Sequence, residues 1–182
     1  MSSGFELEDT TPLLASYVFG VERRTVRHGD ETFTRDVVTH PGAVAIVAID
    51  DDGRVGVVRQ YRAPFDRVTM EIPAGTLDVD GEAPLEAAQR ELAEEMGRAA
   101  AEWRLLGRFM VSPGWATQVM HVFEARGLVE LPRSPEGPEE TAATTEWWAP
   151  DELRERLRME PAIDSTMMVG LHVVYGSFFS AP

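Results

Sequence analysis

The stretch from Gly75 to Gly97 reads GTLDVDGEAPLEAAQRELAEEMG, a glycine-rich bend followed by a helix-forming run. Pro84 suits the first turn of a helix, and Gly97 is the residue type that commonly ends one. Between them, apolar residues recur at helical spacing, at Leu85, Ala88, Leu92 and Met96. The sequence therefore predicts a short amphipathic helix that begins near Pro84 and ends at Gly97.

A cluster of glutamates lies within about one turn of this helix, at Glu91, Glu94 and Glu95. Carboxylates three or four residues apart share a helix face and repel each other when both are ionised. Glutamates at this spacing are also common on solvated helix surfaces. A hard divalent cation with oxygen ligands would relieve the repulsion, so the cluster is a candidate metal site.

The same stretch carries a recognisable motif. Glu82, seven further residues and then the run from Arg90 to Gly97 resemble the Nudix box of the nucleoside-diphosphate-linked-X hydrolases. Six residues separate Gly75 from Glu82, one more than the family usually has, and Arg98 stands at a usually aliphatic position. The resemblance implies an α/β fold: a Nudix-like α/β/α sandwich with a mixed β-sheet and an N-terminal antiparallel β-hairpin.

The resemblance also implies a cofactor, Mg²⁺, with Mn²⁺ as an alternative. The metal ligands expected from it are Glu91, Glu95, Glu94 and the carbonyl of Ala74. Glu91 and Glu95 would be the principal ligands, and Glu82 would stay outside the inner coordination sphere. Arg90, counted with Glu94 among the catalytic residues, would orient a neighbouring carboxylate.

Three further runs resemble the ADP-ribose pyrophosphatase branch of this family. They extend from Val58 to Arg62, from Glu71 to Gly75 and from Ser112 to Gly114, and the resemblance covers roughly Val38 to Pro150. Enzymes of this branch split ADP-ribose into AMP and ribose 5-phosphate. The partner implied is thus a small-molecule nucleoside diphosphate sugar.

The substrate-binding residues expected from this resemblance are Arg62, Arg59, Trp115, Gly75 and Leu77. Arg62 and Arg59 would bind the diphosphate through charge-assisted hydrogen bonds. Arg59 is equally consistent with a surface arginine at the end of a strand. Trp115 would stack on the adenine or line the ribose pocket, although a tryptophan in a structured loop is often a packing residue.

The general base is harder to assign. Many relatives carry a glutamate a few residues beyond the Pro-Gly pair, where this chain has Gln118, and a neutral amide cannot accept the proton. Other relatives take the base from a later acidic loop, which offers Glu139 and Glu140 here. We assign Glu140 and keep Glu139 as the alternative. The acidic tract could also be no more than a solvated surface.

Two other functions remain open at this stage. The same catalytic residues could act on another nucleoside diphosphate sugar or on a dinucleotide, because the surrounding loops select the substrate. A Nudix-like nucleotide-binding sensor without turnover is the third reading. The intact cluster of Glu91, Glu94 and Glu95 argues against a sensor, whereas Gln118 slightly favours one.

Composition narrows the choice of partners. The chain has 182 residues and a net charge of −14, which opposes binding to nucleic acid or to an anionic membrane. All 17 basic residues are arginine, so neither a P-loop lysine nor a Schiff-base lysine is available. Cysteine is absent, and residues 1–14 lack a basic region followed by an apolar run, so a cytoplasmic location is expected.

Strand and helix patterns complete the expectations. Strands are predicted at Tyr17–Val26, Thr32–Thr39, Val44–Ile49, Val55–Tyr61, Thr69–Ile72, Trp103–Arg108, Val119–Ala125 and Thr145–Trp148. The first two would form one hairpin, and the third and fourth another. Helices are predicted at Pro150–Arg158 and Ser165–Tyr175, and a mobile acidic loop at Leu131–Thr144.

Two segments follow from these patterns and from the resemblance. Residues 1–40 would form an N-terminal β-hairpin segment that makes a homodimer, and residues 41–182 would form the hydrolase domain. In related enzymes such a hairpin, which contains Tyr17 and Phe19 here, reaches across to the partner's base-binding cleft.

Overall fold

The computed structural model describes residues 4–135 and 137–176. The strands are β1 (Phe5–Ala15), β2 (Gly20–His28), β3 (Glu31–Thr39), β4 (Ala43–Ala48), β5 (Val55–Arg62), β6 (Arg67–Glu71), β7 (Ala74–Thr76), β8 (Arg98–Met110), β9 (Val119–Glu130) and β10 (Thr144–Trp148). The helices are α1 (Pro84–Met96), α2 (Gly137–Ala142), α3 (Pro150–Arg158) and α4 (Ser165–Tyr175), with a short 3₁₀ helix at Ala63–Phe65. The predicted helices α1, α3 and α4 are confirmed.

A four-stranded sheet of order β7-β4-β9-β8 forms the centre of the larger compact unit. β4 runs parallel to β9 and antiparallel to β7, so the sheet is mixed, as predicted. One face of β4 packs with Leu92 and Met96 of α1. On the other face, Gly170 of α4 lies against Val47 and Val122. Helices thus cover both faces, which explains why every residue of β4 is apolar and buried.

The predicted second hairpin, between Val44–Ile49 and Val55–Tyr61, is wrong. A turn does join the two segments, since the Asp50 N–H donates to the Arg54 carbonyl. Beyond a single bridge between Ile49 and Val55, however, the strands separate. β4 already has β7 and β9 on its two edges, and β5 pairs instead with β6 and β10 in a second sheet.

Residues 4–42 form a smaller compact unit together with Phe109–Val119. Its sheet has the order β1-β2-β3 and is antiparallel throughout. The predicted N-terminal hairpin is confirmed as β2 and β3, which turn at Gly29 with a positive φ of 60°. Strand β1 was not predicted, and β2 begins at Gly20 rather than at Tyr17. The proposed split at residues 40 and 41 stays a prediction.

The predicted acidic loop at Leu131–Thr144 is only partly a loop. It contains the short helix α2 and ends at the first residue of β10. Ala143, directly after α2, is buried in the core that α1 also contacts. None of the helices in the described part of the chain is long and apolar enough to cross a membrane.

Candidate active site

Two buried carboxylates of α1 lie against the backbone of β7. Glu91 is 6% exposed and Glu95 is 4% exposed. The N–H of Ala74 donates to Oε2 of Glu95 at 3.0 Å, and the Glu91 carboxylate occupies the space beside Gly75 that a Cβ would fill. Because β7 is paired with the central strand β4, the fold core holds this arrangement in place. We call these four residues the carboxylate cradle.

The cradle disfavours negative charge. Burial raises the pKa of Glu91 to about 7 and that of Glu95 to about 8. Hydrogen bonds from Arg90 and from the Ala74 N–H act in the opposite direction but do not outweigh burial. A bound cation would favour the ionised forms and reverse the shift.

Arg90 contacts two further glutamates of the motif, Glu82 and Glu94, as well as Glu91 of the cradle. Its Nε and Nη2 each donate to a carboxylate oxygen of Glu82 at 3.0 Å. Its Nη1 lies 2.7 Å from Oε1 of Glu91 and 3.1 Å from Oε2 of Glu94. The hydrogen bonds to Glu82, and then the charge of Glu91, raise the pKa of Arg90 above its ordinary value despite partial burial. One guanidinium therefore contacts three glutamates of the motif.

Arg62 is held by a carboxylate that the sequence did not single out. Its Nε and Nη2 donate to the two oxygens of Glu71 at 2.9 and 2.6 Å. Oγ1 of Thr69 lies 2.5 Å from Oε1 of Glu71 and 3.1 Å from the Gln60 carbonyl. Burial acts to raise the pKa of Glu71, but the hydrogen bonds and charge of Arg62 outweigh it and lower that pKa.

Helix α2 brings its two glutamates near these groups. The charge of Glu140 contributes, after burial, to the raised pKa of both Glu91 and Glu95. The charge of Glu139 adds to the raised pKa of Arg62, for which the hydrogen bonds to Glu71 are the largest cause. Arg133 fixes the end of α2, since Nη2 donates to the Glu140 carbonyl at 3.2 Å and Nη1 to the Ala143 carbonyl at 3.3 Å.

The remaining predicted residues lie in different surroundings. Nε of Arg59 is 3.9 Å from a Glu146 oxygen on the neighbouring strand β10. Leu77 packs partly buried against the core near α1. Trp115 belongs to the smaller unit and is 58% exposed. Roles in substrate binding for these residues, and the metal contact of the Ala74 carbonyl, stay predictions.

A family profile for the NUDIX domain matches residues 39–168. The chain belongs to the NUDIX family. It is 38% identical, over 94% of its length and 83% of the relative's, to an ADP-ribose pyrophosphatase of Mycobacterium tuberculosis. It is 45% identical to an ADP-ribose pyrophosphatase of Bacillus subtilis over 53% of this chain and 52% of that protein.

A solved structure extends the comparison to three dimensions. The crystal structure of an ADP compounds hydrolase superposes with a TM-score of 0.81 and covers 95% of this chain and 93% of its own, at 22% sequence identity. At that identity the likeness establishes the fold. The α/β Nudix fold predicted from the sequence is therefore confirmed.

Nudix hydrolases generally need a divalent metal ion, and the cradle fits one. Within residues 4–135 and 137–176, the side chains form no cage of three or more His, Asp or Glu residues that could hold a metal ion. Mg²⁺ does not require such a cage, because it keeps several waters and is commonly bound by one or two carboxylates together with substrate phosphates. Glu91 and Glu95 supply two buried carboxylates, and the absence of a side chain at Gly75 lets the Glu91 carboxylate lie against the backbone of β7.

Sequence reasoning did not identify Glu71 and Thr69 as the residues that hold Arg62. Glu71 was noted within a motif but was given no role, and Thr69 was read only as the start of a strand. The usable signal was their spacing of two residues on a short strand, which places both side chains on one face of the sheet. Their link to Arg62 depends on a diagonal contact between strands that local patterns do not reveal.

Proposed function

We propose that this chain hydrolyses the diphosphate bond of ADP-ribose to give AMP and ribose 5-phosphate, and that Mg²⁺ is its metal. The observation that carries the chemistry is the carboxylate cradle, in which Glu91 and Glu95 are buried with raised pKa values, Glu91 against Gly75 and Glu95 on the N–H of Ala74. The choice of substrate is supported by the 38% identity to an ADP-ribose pyrophosphatase across most of both chains.

The cradle residues hold the metal in this proposal. Glu91 and Glu95 are the principal ligands, assisted by Glu94 and the Ala74 carbonyl. When bound, the cation screens the diphosphate charge and lowers the pKa of the attacking water. Arg90 keeps the glutamates in place, which is supported by its contacts with Glu82, Glu91 and Glu94.

Glu140 takes the proton from the attacking water. Support comes from the position of α2, because the charge of Glu140 is felt at both Glu91 and Glu95. Gln118 carries no charge and cannot serve as this base. The charge of Glu139 adds instead to the raised pKa values of Arg62 and Tyr61.

Five residues contact the substrate in this proposal. Arg62 donates to the diphosphate oxygens, and Arg59 adds a second positive charge from the same strand. The backbone at Gly75 and the side chain of Leu77 line the approach to the cleaved bond. Trp115 stacks on the adenine or lines the ribose pocket.

The protein is a homodimer in this proposal, with the contact between the two copies on the N-terminal sheet. No residue of the ranges 4–41 and 109–119 is buried, although β1 carries the large apolar side chains of Phe5, Leu7, Leu13 and Leu14. A sheet that buries so little gains little stability from the hydrophobic effect. A second copy laid on this sheet would cover that apolar surface.

The experiment is an activity assay with product identification. We expect the protein to convert ADP-ribose to AMP and ribose 5-phosphate with Mg²⁺ and to lose this activity in excess EDTA. A panel of other nucleoside diphosphate sugars and dinucleotides, each with Mg²⁺ or Mn²⁺, tests the choice of substrate. Failure to cleave any of these compounds, together with tight binding of ADP-ribose, would instead indicate a sensor.

A further inference from the structure

The Arg62–Glu71 pair has an unusual geometry for two neighbouring strands. In the β5–β6 ladder Arg62 lies opposite Arg67, whereas Glu71 lies opposite Val58. The guanidinium therefore reaches back along the sheet, past Thr69, to bind a carboxylate that is not its cross-strand neighbour. Because Arg67 carries the same charge, it disfavours a position of the Arg62 guanidinium directly beside it.

The pairing leaves one end of the guanidinium available. Nε and Nη2 are both occupied by Glu71 in a bidentate contact. Within residues 4–135 and 137–176, Nη1 of Arg62 makes no hydrogen bond. Glu71 is itself fixed by the Thr69 hydroxyl, and its side chain is mostly buried. The carboxylate thus sets the plane of the guanidinium, and with it the direction of Nη1.

We infer that Glu71 is a positioning residue that aims Nη1 of Arg62 at the diphosphate of the substrate. The inference rests on the proposed function, in which Arg62 binds the diphosphate. A bidentate carboxylate restrains a guanidinium in both position and plane. An arginine held in this way loses less conformational entropy when the substrate binds.

A purely electrostatic role makes the opposite prediction. Glu71 carries a negative charge beside the arginine, so a change to glutamine should strengthen diphosphate binding if charge alone matters. If Glu71 positions Arg62, the same change should weaken binding, because glutamine offers one acceptor oxygen instead of two. The sign of the change therefore separates the two roles.

The test measures ADP-ribose kinetics and the affinity for the non-cleavable α,β-methylene analogue of ADP-ribose in the presence of Mg²⁺. We expect Glu71→Gln to weaken analogue binding and to lower kcat/KM by roughly 10- to 100-fold, as expected for a misplaced contact. Affinity for Mg²⁺ alone should not change. In an Arg62→Ala background, Glu71→Gln should cause no further weakening, because the residue acts through Arg62.

Two variants serve as controls. Asp52→Asn removes a partner of another arginine, Arg54, whose Nη2 lies 3.0 Å from an Asp52 oxygen in the turn between β4 and β5, and should leave kinetics unchanged. Thr69→Val keeps the charge of Glu71 but removes its hydroxyl support. It should weaken analogue binding in the same direction by a smaller factor, and it tests the inference even if Glu71→Gln fails to fold.

Three outcomes overturn the inference alone. The first is unchanged or tighter analogue binding in Glu71→Gln. The second, which applies if Glu71→Gln does not fold, is analogue binding by Thr69→Val that equals that of the wild type. An equal loss from Glu71→Gln with and without Arg62 would show that Glu71 does not act through the arginine. A wild-type protein that neither cleaves ADP-ribose nor binds the analogue would overturn the proposed function as well, which distinguishes the two failures.

Discussion

At the scale of single residues, Gly75 leaves the space that the Glu91 carboxylate occupies. A Cβ at this position would overlap Oε1 and the carboxyl carbon of Glu91. We expect Gly75→Ala to displace this carboxylate and to weaken Mg²⁺ binding by roughly 10- to 100-fold, with a matching loss of kcat. Isothermal titration of Mg²⁺ and steady-state kinetics measure both effects.

Gly107 provides the matched control for this substitution. A Cβ added there would meet no heavy atom within 4 Å, so Gly107→Ala should behave as the wild type. Wild-type affinity for Mg²⁺ in Gly75→Ala would show that the cradle does not depend on the close approach of Glu91 to this backbone.

Glu91 and Glu95 should make the stability of the metal-free protein depend on pH. Their pKa values of about 7 and about 8 exceed the ordinary 4.5, so between these values the folded protein binds protons that the unfolded chain releases. Their contribution to the free energy of unfolding is fully present below pH 4.5 and is lost as the pH rises through 8. Thermal unfolding in EDTA measures this loss.

Glu95→Gln separates this effect from that of other titrating groups. The variant carries no charge at position 95, so its stability relative to the wild type should increase between about pH 5 and about pH 8. Saturating Mg²⁺ should reduce the difference, because the metal stabilises the ionised wild-type carboxylate. A difference that stays constant over this range would contradict the raised pKa of Glu95.

At the scale of elements, α2 brings Glu140 close enough for its charge to act on the cradle, while Arg133 holds the end of the helix. We expect Glu140→Gln to lower kcat by roughly 100- to 10,000-fold, the cost of removing a general base. Mg²⁺ affinity and thermal stability should change little. The measurement is kcat at saturating ADP-ribose.

Glu139→Gln is the neighbouring control. It removes the adjacent carboxylate of the same helix, so a change of less than about threefold in kcat is expected, well short of the loss of a base. If the two variants exchange these effects, Glu139 is the base. If neither reduces kcat by more than about threefold, the base does not come from α2.

Sequence patterns predicted individual helices and strands better than they predicted how the strands pair. The apolar stripe from Leu85 to Met96 and the terminal Gly97 were sufficient to predict α1. The metal site at Glu91, Glu94 and Glu95 stays a prediction. The run Val44–Ile49 was correctly read as a strand, but its partners were not, because pairing depends on β7 and β9 far along the chain. Helix α2 has six residues, which is too short to show helical periodicity.

At the scale of the whole molecule, the N-terminal sheet exposes apolar side chains that a second copy of the chain could cover. We expect the protein to be a homodimer, because β1 exposes Phe5, Leu7, Leu13 and Leu14 and no residue of the ranges 4–41 and 109–119 is buried. Leu7→Glu combined with Leu13→Glu should shift the protein towards a monomer. Light scattering coupled to size-exclusion chromatography gives the mass.

A monomeric wild type at micromolar concentration would contradict this expectation. Val129→Glu is a suitable control, since Val129 is also an exposed apolar residue on a strand but lies in the larger unit. It should leave the measured mass unchanged. If Val129→Glu dissociates the dimer as readily, the dimer contact does not lie on the N-terminal sheet.

The central claim is that Glu91 and Glu95 hold a divalent cation beneath the diphosphate. Its most direct test is an anomalous difference map from crystals grown with Mn²⁺ and α,β-methylene ADP-ribose. We predict a manganese peak within about 2.5 Å of oxygens from both carboxylates, in contact with the bound diphosphate. A bound analogue with manganese elsewhere, or with no peak between these side chains and the diphosphate, would contradict the account.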